Sequence, residues 1–272
     1  KNKIVVIDLS NGATQKTTPR LFEKLGADVR VYNDGPSEIN AGVGSEYPSM
    51  MAGKVKELKA DFGIAHDGDG DRVIFCDSAG NVIPGDKILG LLAINEKKQH
   101  RLLNNAMVAT IHSNSGLDAS LKERGISLHR ADVGDRKVAE MMRNRGCNIG
   151  GESSGHVVAS DYLPTGDGLL TALLVARASY ESKRTIDSLS EDIVLWPSFE
   201  GSFKVKEKLP IQECDLLSSN LSKVKISLGN QGRVLLRYSG TELKIRLLVE
   251  AIEQNKAKEA YDSLAKTIVK SL

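Results

Sequence analysis

The chain has 272 residues, of which 40% are hydrophobic and 26% charged, as is typical of a globular protein of about two to three domains. Its 37 basic and 35 acidic residues are spread along the whole sequence without the basic stripe of a nucleic-acid-binding surface. No apolar run approaches the roughly 18 residues of a membrane span, and no signal-peptide pattern opens the sequence, so we expect a cytoplasmic protein that binds neither nucleic acid nor membrane.

The first part of the sequence predicts an α/β domain over residues 1–102. The segments "KIVVIDLS", "TPRLFEKLG" and "ADVRVY" predict a strand, a helix that ends at Gly26, and a second strand. Apolar periodicity then predicts a helix over residues 46–60, strands at "DFGIAH" and "RVIFCD", and a helix at "DKILGLLAINEKK".

A second α/β domain is predicted over residues 103–193. Its strands are "AMVATIHS", "SLHR" and "CNIG", and its helices cover residues 115–124, "DRKVAEMMRNRG" and residues 166–184. Because the alternation of strand and helix repeats, we expect two similar mixed-sheet α/β domains in series.

The pattern changes after "VLWPSFEG". Strands dominate the prediction from residue 199 to 250, including "GRVLLR" and "KIRLLVEA", and an amphipathic helix follows over residues 254–271. These elements predict a smaller α+β domain over residues 194–272.

The three cysteines indicate no special chemistry. Cys76, Cys147 and Cys214 lie far apart, and no CxxC pair suggests a zinc or redox site. We interpret all three as ordinary reduced thiols.

Three aspartates at alternate positions in "AHDGDGDRVIF" predict a metal site. Asp67, Asp69 and Asp71 are separated by Gly68 and Gly70, so a turning backbone can direct all three carboxylates onto one hard cation. The alternative is a polar hairpin turn without metal, because Asp-Gly pairs are strong turn signals on their own.

A calcium loop of the EF-hand type is excluded. Its template requires glycine at the sixth position and glutamate at the twelfth, where this sequence has Arg72 and Ser78.

A second candidate loop is "GGESSGH", residues 150–156. Its glycines permit an unusual backbone path, while Glu152, Ser153 and Ser154 can bind a polyhydroxylated ligand. His156 can move protons near neutral pH. A Gly/Ser-rich turn with a satisfied histidine is the structural alternative.

A third candidate loop is "RYSGTE", residues 237–242. Ser239, Gly240 and Thr241 offer hydroxyls and backbone N–H groups, and Arg237 and Arg246 flank them, an arrangement that can hold a phosphate. A plain hairpin with exposed arginines is the alternative.

Two shorter segments accompany these loops. "VGDRKV" places Arg136 at the start of a helix, and "TGDG", residues 165–168, opens another, although both patterns are also typical of simple helix capping. Together the three loops predict sites for a cation, a sugar-like diol and a phosphate, which phosphoryl transfer on a sugar phosphate requires.

With these motifs, the chain resembles the bacterial α-D-phosphohexomutase family. The similarity runs through "DLSNGAT", "INAGVGS", "GIAHDGDGDR", "VGDRKVAEMM", "GGESSGH", "TGDG" and "RYSGTE". Family members have four domains, and this sequence matches the second, third and fourth. The resemblance implies that the first domain supplies an active-site phosphoserine, for whose Ser-His-Asn-Pro type stretch this sequence has no match.

The resemblance implies a catalytic centre around the aspartates. Asp67, Asp69 and Asp71 are implied to bind Mg²⁺ together with the phosphoserine. Arg72 is implied to lie beside that phosphate, and His156 near the reacting oxygen.

The resemblance also implies the substrate-binding residues. Glu152 and Ser154 are implied to bind sugar hydroxyls, with Arg136 as a further contact. The phosphate that does not react is implied to bind at Arg237, Ser239, Gly240, Thr241 and Arg246. The implied reaction interconverts a hexose 6-phosphate and 1-phosphate through a bisphosphate sugar, and without the serine the chain alone is expected to be inactive.

The substrate is less well defined than the reaction. Ser153 and the "GVGS" stretch favour a glucosamine phosphate over a mannose or glucose phosphate. The sequence departs from the family at Tyr238 and Leu243, where prolines are common, and at Lys137 and "HSN". A non-catalytic phosphosugar-binding protein is a further alternative, and the sequence leaves open a homodimer.

Overall fold

A computed structural model of the protein describes residues 3–271. The chain divides into two compact units. The first extends to Ser113 and continues over Leu117–Val194, and the second comprises Asn114–Gly116 and the chain from Leu195 onward.

The first sheet of the first unit is mixed. Its strands are β1 (Ile4–Asp8), β2 (Asp28–Tyr32), β3 (Phe62–His66), β4 (Val73–Cys76) and β5 (Val82–Ile83), in the order β2-β1-β3-β4-β5. β1 pairs in parallel with β2 and β3, whereas β4 runs antiparallel to β3 and β5 to β4. The central strands are buried, in keeping with their continuous apolar sequence.

The second sheet of this unit repeats the pattern. Its strands are β6 (Ala106–Thr110), β7 (Ser127–Ala131), β8 (Ile149–Gly151) and β9 (Val157–Ala159), in the order β7-β6-β8-β9. β6 is parallel to β7 and β8, and β9 is antiparallel to β8. The predicted pair of similar mixed-sheet α/β domains is therefore confirmed.

Seven α-helices of the described chain begin before residue 195: α1 (Thr18–Lys24), α2 (Ser49–Leu58), α3 (Gly85–Lys98), α4 (Ser115–Lys122), α5 (Asp135–Arg145), α6 (Gly168–Ser182) and α7 (Ile186–Ser190). α3 contacts α6, α7 and β8 and is buried over most of its length, which explains its apolar residues on several faces. α5 ends at Arg145, and the following Gly146 adopts the left-handed conformation that favours glycine after a helix.

The second unit contains an antiparallel sheet of β10 (Ser198–Lys204), β11 (Gly232–Tyr238) and β12 (Lys244–Ala251), in the order β10-β12-β11. α8 (Asp215–Leu228) and α9 (Gln254–Ser271) pack on each other, and a core of side chains from α8, α9 and β12 joins helices and sheet. The predicted α+β class is confirmed.

The prediction that strands dominate from residue 199 to 250 was wrong over α8. The segment "DLLSSNLSKVKISL" contains four serines, an asparagine, a valine and an isoleucine, which have modest helix propensity. Its apolar residues nevertheless recur at helical spacing, and Leu217, Val224 and Leu228 are buried with Leu221 beside them. Tertiary packing of that face therefore decides the structure.

The cysteines are free thiols, as interpreted from the sequence. Burial raises the pKa of Cys76 to about 12, so this thiol is protonated at neutral pH. Among residues 3–271, each helix is too short or too polar to cross a bilayer.

A buried carboxylate joins α3 to α6 through ion pairs. Glu96 is 4% exposed, and its two oxygens lie 2.8 Å from Arg101 Nε and 2.5 Å from an Arg177 terminal nitrogen. Glu181 of α6 lies 2.9 Å from Arg101. Burial raises the pKa of Glu96, but the hydrogen bond and charge of Arg101 and the charge of Arg177 outweigh burial and lower that pKa below its ordinary value.

Glu96→Gln is expected to lower the free energy of unfolding by about 1 to 3 kcal/mol at pH 7, because two partly buried arginines lose their counter-charge. A lowered folded-state pKa gives stability that is complete above the ordinary pKa of 4.5 and is lost as the pH falls through the folded value. Urea denaturation should therefore show that the difference in free energy of unfolding between the unchanged chain and Glu96→Gln shrinks below pH 4.5.

The matched control is Glu123→Gln, since the Glu123 side chain is 78% exposed. This variant should change the free energy of unfolding by less than about 0.5 kcal/mol. Equal losses for Glu96→Gln and Glu123→Gln would contradict a stabilising role for the buried network.

Candidate functional site

The aspartate loop connects β3 to β4. Asp67 follows β3 directly and is 1% exposed, Asp69 is exposed, and Asp71 is partly buried. One carboxylate oxygen from each of the three residues lies within 4.8 Å of the others. The structure therefore brings together the three side chains that the spacing predicts.

The backbone of this loop is suited to such convergence. Gly70 has a φ of +80°, which a residue with a side chain rarely adopts, and a Cβ there would lie about 2.5 Å from Thr14 Cγ2. Three carboxylates turned onto one point are hard oxygen donors, the ligand type that Mg²⁺ and Ca²⁺ prefer. The residues present therefore fit a divalent cation.

Arg72 supplies positive charge at the edge of the aspartate loop. Its Nε lies 2.7 Å from Asp67 Oδ2 and 3.4 Å from Asp71 Oδ1, and one terminal nitrogen lies 3.5 Å from Glu46 Oε1. Burial lowers the pKa of Arg72, but the two aspartates outweigh burial and raise it. Arg72 thus offsets part of the repulsion within the triad.

The "DLSNGAT" segment packs on the aspartate loop from one side. The Ala13 amide donates to the Gly68 carbonyl at 2.8 Å, and a Cβ on Gly12 would overlap that same carbonyl. Buried Asp8 fixes this segment by accepting hydrogen bonds from the Ser10 amide, the Asn33 side chain and the Gly44 amide. The motif therefore holds the loop in place.

A buried histidine links the end of the aspartate loop to α1. His66 Nδ1 lies 3.3 Å from the Arg72 carbonyl and Nε2 lies 3.1 Å from Thr18 Oγ1. Since a carbonyl only accepts, Nδ1 carries the proton and Nε2 accepts from the Thr18 hydroxyl. Burial lowers the pKa of His66 more than its neighbours raise it, so the neutral ring serves as a structural link.

The "GGESSGH" turn connects β8 to β9, the position that the aspartate loop occupies in the first sheet. The Glu152 amide donates to the His156 carbonyl, and the Gly155 amide to the Glu152 carbonyl. This tight turn leaves Ser153 and Ser154 exposed. Two structurally equivalent hairpins thus carry the two predicted loops.

The "VGDRKV" segment lies beside this turn. The Gly134 amide donates to Glu152 Oε1 at 2.9 Å, which fixes the carboxylate and leaves Oε2 for a further donor. Arg136 lies in the first turn of α5 and is exposed. Glu152 and the start of α5 therefore border the same surface.

The two hairpin loops contact each other through their backbones. The Val73 amide donates to the Gly155 carbonyl at 3.2 Å, and Arg72 and His156 form an isolated antiparallel bridge. A Cβ on Gly155 would lie about 2.5 Å from the Val73 carbonyl, so glycine permits the approach. The aspartate loop and the serine-containing turn consequently form one site.

His156 lies at the junction of the two loops. Its Nε2 lies 3.8 Å from Asp71 Oδ2. Its ring is buried, and Nδ1 has no hydrogen-bond partner among residues 3–271. A buried polar atom without a partner beside a carboxylate cluster is typical of a group that acts on a ligand.

The "TGDG" segment completes this junction. A Cβ on Gly166 would overlap the His156 ring, and a Cβ on Gly168 would overlap the Arg72 carbonyl. The Gly168 amide also donates to the Gly70 carbonyl at 2.9 Å. Asp167 caps α6 by accepting from the Leu170 amide, as simple capping predicts, but the two glycines allow the close packing.

The "RYSGTE" loop of the second unit connects β11 to β12. The Ser239 amide donates to the Lys244 carbonyl at 2.8 Å, and the Glu242 amide to Ser239 Oγ at 3.4 Å. Ser239 is buried, whereas Gly240 and Thr241 are exposed. The loop is thus a hairpin turn with an open tip.

Two arginines face each other across the strands that carry this loop. Arg237 of β11 pairs in register with Arg246 of β12, so both side chains leave the same face of the sheet. Glu242 lies 3.9 Å from Arg246. Like charges directly opposite are destabilising in a sheet, and an anion bound between them would offset that cost.

Sequence reasoning missed several residues of the site. The interactions of Glu46, His66 and Gly134 depend on contacts between distant segments. Of these three residues, only His66 could have been found from its neighbours in the sequence, because it is a polar residue at the end of an apolar strand and directly precedes Asp67.

Models of one family match most of the chain. The model described as "Phosphoglucomutase/phosphomannomutase, alpha/beta/alpha domain II" matches residues 1–80, that of domain III residues 84–195, and that of the C-terminal domain residues 202–267. The chain belongs to the phosphoglucomutase/phosphomannomutase family. The predicted resemblance is confirmed, while the predicted boundaries after residues 102 and 193 stay predictions.

Curated relatives in this family are named phosphoglucosamine mutase. The chain is 43% identical to the protein of Nitratidesulfovibrio vulgaris strain Miyazaki F over 98% of its own length and 60% of that relative. It is 42% identical to the protein of Campylobacter curvus over 100% of its own length and 61% of that relative. The chain therefore spans about three fifths of the length of these family members.

Solved structures share the fold. A phosphoglucomutase/phosphomannomutase family protein of Burkholderia thailandensis has a TM-score of 0.81 at 21% identity. The match covers 100% of this chain and 61% of the Burkholderia chain. Aspergillus fumigatus N-acetylphosphoglucosamine mutase, in complex with GlcNAc-6P and magnesium, has a TM-score of 0.75 at 18% identity, covering 98% of this chain and 66% of its own.

Proposed function

We propose that this chain is part of a phosphohexomutase that interconverts glucosamine 6-phosphate and glucosamine 1-phosphate. The observation that carries the proposal is the backbone contact between the two hairpin loops, which joins the aspartate triad to Glu152 and His156. The name of the relatives at 42–43% identity supports a glucosamine phosphate as the substrate.

The proposed metal is Mg²⁺, held by Asp67, Asp69 and Asp71. Their mutual distances and hard oxygen donors support one divalent cation. The magnesium of the Aspergillus fumigatus enzyme supports its identity. A cation there supplies positive charge beside a phosphoryl group in transfer.

The proposed sugar contacts are Glu152, Ser154 and Arg136. Glu152 keeps one oxygen for a sugar hydroxyl, because the Gly134 amide occupies the other. Ser154 is exposed at the tip of the same turn. His156, 3.8 Å from Asp71, is proposed to move the proton of the reacting hydroxyl, and Arg72 to hold a phosphoryl oxygen.

The phosphate that does not react is proposed to bind to the "RYSGTE" loop. The opposed side chains of Arg237 and Arg246 provide the charge. Ser239 and the exposed tip residues Gly240 and Thr241 provide hydroxyls and amides. An anchor at the spare phosphate fixes the sugar without taking part in the chemistry.

The proposed reaction consists of two phosphoryl transfers and leaves the total number of phosphoryl groups unchanged. A phosphoserine outside these residues transfers its phosphoryl group to a free hydroxyl of the sugar phosphate, so the serine O–P bond breaks, a sugar O–P bond forms, the hydroxyl loses its proton, the serine gains one, and the sugar becomes a bisphosphate. The bisphosphate turns around, and the other phosphoryl group returns to the serine. We propose that the 272 residues alone therefore do not turn over.

Turnover tests the reaction and its substrate. With glucosamine 6-phosphate and Mg²⁺, we expect ³¹P NMR to show no glucosamine 1-phosphate from the 272-residue chain, and conversion by a longer chain with an upstream phosphoserine domain. Turnover by the short chain, free of contaminating mutase, would contradict the need for that serine. Faster conversion of mannose or glucose 6-phosphate by the longer chain would overturn the substrate assignment.

Removing one carboxylate tests the metal site. Asp69→Asn should weaken Mg²⁺ binding about tenfold or more, because one of three charged oxygen ligands becomes neutral. Calorimetric titration of the 272-residue chain measures this. The matched control, Asp34→Asn, changes an exposed loop aspartate and should leave Mg²⁺ affinity unchanged. An unchanged affinity in Asp69→Asn would refute this ligand set.

Removing one arginine tests the phosphate site. Arg246→Ala should weaken glucosamine 6-phosphate binding by about 1.5 to 3 kcal/mol, the scale of a charge-assisted hydrogen bond, and should not affect unphosphorylated glucosamine. Lys225→Ala, which removes an exposed charge on α8, is the control and should bind both ligands normally. Equal losses of both ligands in Arg246→Ala would remove the phosphate role.

A further inference from the structure

Lys208 contacts the "RYSGTE" loop from a separate segment of the second unit. It lies between β10 and a short 3-10 turn at Ile211–Glu213. Its Nζ donates to the Ser239 carbonyl at 2.6 Å and to the Gly240 carbonyl at 3.2 Å. One ammonium group thus holds two consecutive carbonyls of the loop.

This contact determines where two amide groups point. Among residues 3–271 every peptide bond is trans, so each carbonyl points opposite to the N–H of the following residue. With the carbonyls of Ser239 and Gly240 directed at Lys208, the amides of Gly240 and Thr241 point away from it. Both amides therefore face the side of the loop opposite the ammonium.

These two amides are available to a ligand. The neighbouring amides of Ser239 and Glu242 already donate within the loop. Across the described chain, no protein acceptor receives the amide hydrogen of Gly240 or Thr241. A Cβ built on Gly240 would meet no atom within 4 Å, so the loop tip is open. Successive amides directed into open space form a concavity suited to an anion.

We propose that Lys208 is a positioning residue that aims the Gly240 and Thr241 amides at the phosphate of the substrate. The inference rests on the proposed phosphate role of this loop. Two of the three hydrogens of the Lys208 ammonium are donated to the Ser239 and Gly240 carbonyls, on the side of the loop opposite the two free amides. Lys208 therefore acts through the loop backbone, and its charge adds only a longer-range attraction.

The test is a titration of the 272-residue chain with glucosamine 6-phosphate, followed by ¹H–¹⁵N NMR. Lys208→Met removes the ammonium and keeps most of the side-chain length. It should weaken binding about five- to tenfold, the scale of losing hydrogen bonds that fix the site. Before any ligand is added, it should already move the amide signals of Gly240 and Thr241.

Lys206→Met is the matched control. Lys206 lies two residues away and is exposed, and it has no ion pair or hydrogen bond through its side chain among residues 3–271. This variant makes the same change in net charge, and it should bind within about twofold of the unchanged chain and leave both amide signals in place.

The outcomes separate this inference from the proposed function. If the unchanged chain binds but the two variants weaken equally, or if Lys208→Met leaves the ligand-free amide signals unmoved, Lys208 acts by charge alone and the positioning role is overturned. If glucosamine 6-phosphate does not shift the Gly240 and Thr241 signals of the unchanged chain, the phosphate site itself is wrong and the role of Lys208 falls with it.

Discussion

The candidate catalytic site depends on one close contact between two hairpins. The loops β3–β4 and β8–β9 touch backbone to backbone at Val73 and Gly155, a distance that a side chain at Gly155 would prevent. Since Asp71 and Arg72 precede this contact in one loop and His156 follows it in the other, their relative positions are set by main-chain hydrogen bonds. A site held in this way does not rely on flexible side chains for its geometry.

Charge is the second constraint on this site. Three carboxylates in one loop repel one another, and Arg72 pairs with two of them through Nε. The remaining negative charge favours a divalent cation, while the guanidinium remains beside the place where that cation would bind. The same loop can therefore attract both a metal ion and a phosphoryl group, which otherwise require opposite fields.

The sequence predicted the parts of the site better than their assembly. The aspartate triad and the Gly/Ser turn have signals within a few residues, because turn chemistry and ligand spacing are local. The contacts of Gly134, Gly166 and Lys208 are non-local and depend on how strands and helices pack, so neither spacing nor composition indicates them. The α8 helix shows the same limit, since packing of its buried face outweighed weak local propensity.

The repeated sheet order explains how one architecture provides two kinds of loop. In both sheets a parallel strand is followed by an antiparallel strand, and the intervening turn lies at the carboxyl end of the parallel strands, where α/β folds bind ligands. The first turn carries three carboxylates and the second carries hydroxyls and a histidine. The flanking strands, and not the turns, form each sheet, so the sequences of the two turns can differ in chemistry. Glycine at position 155 still permits the close contact between the two loops.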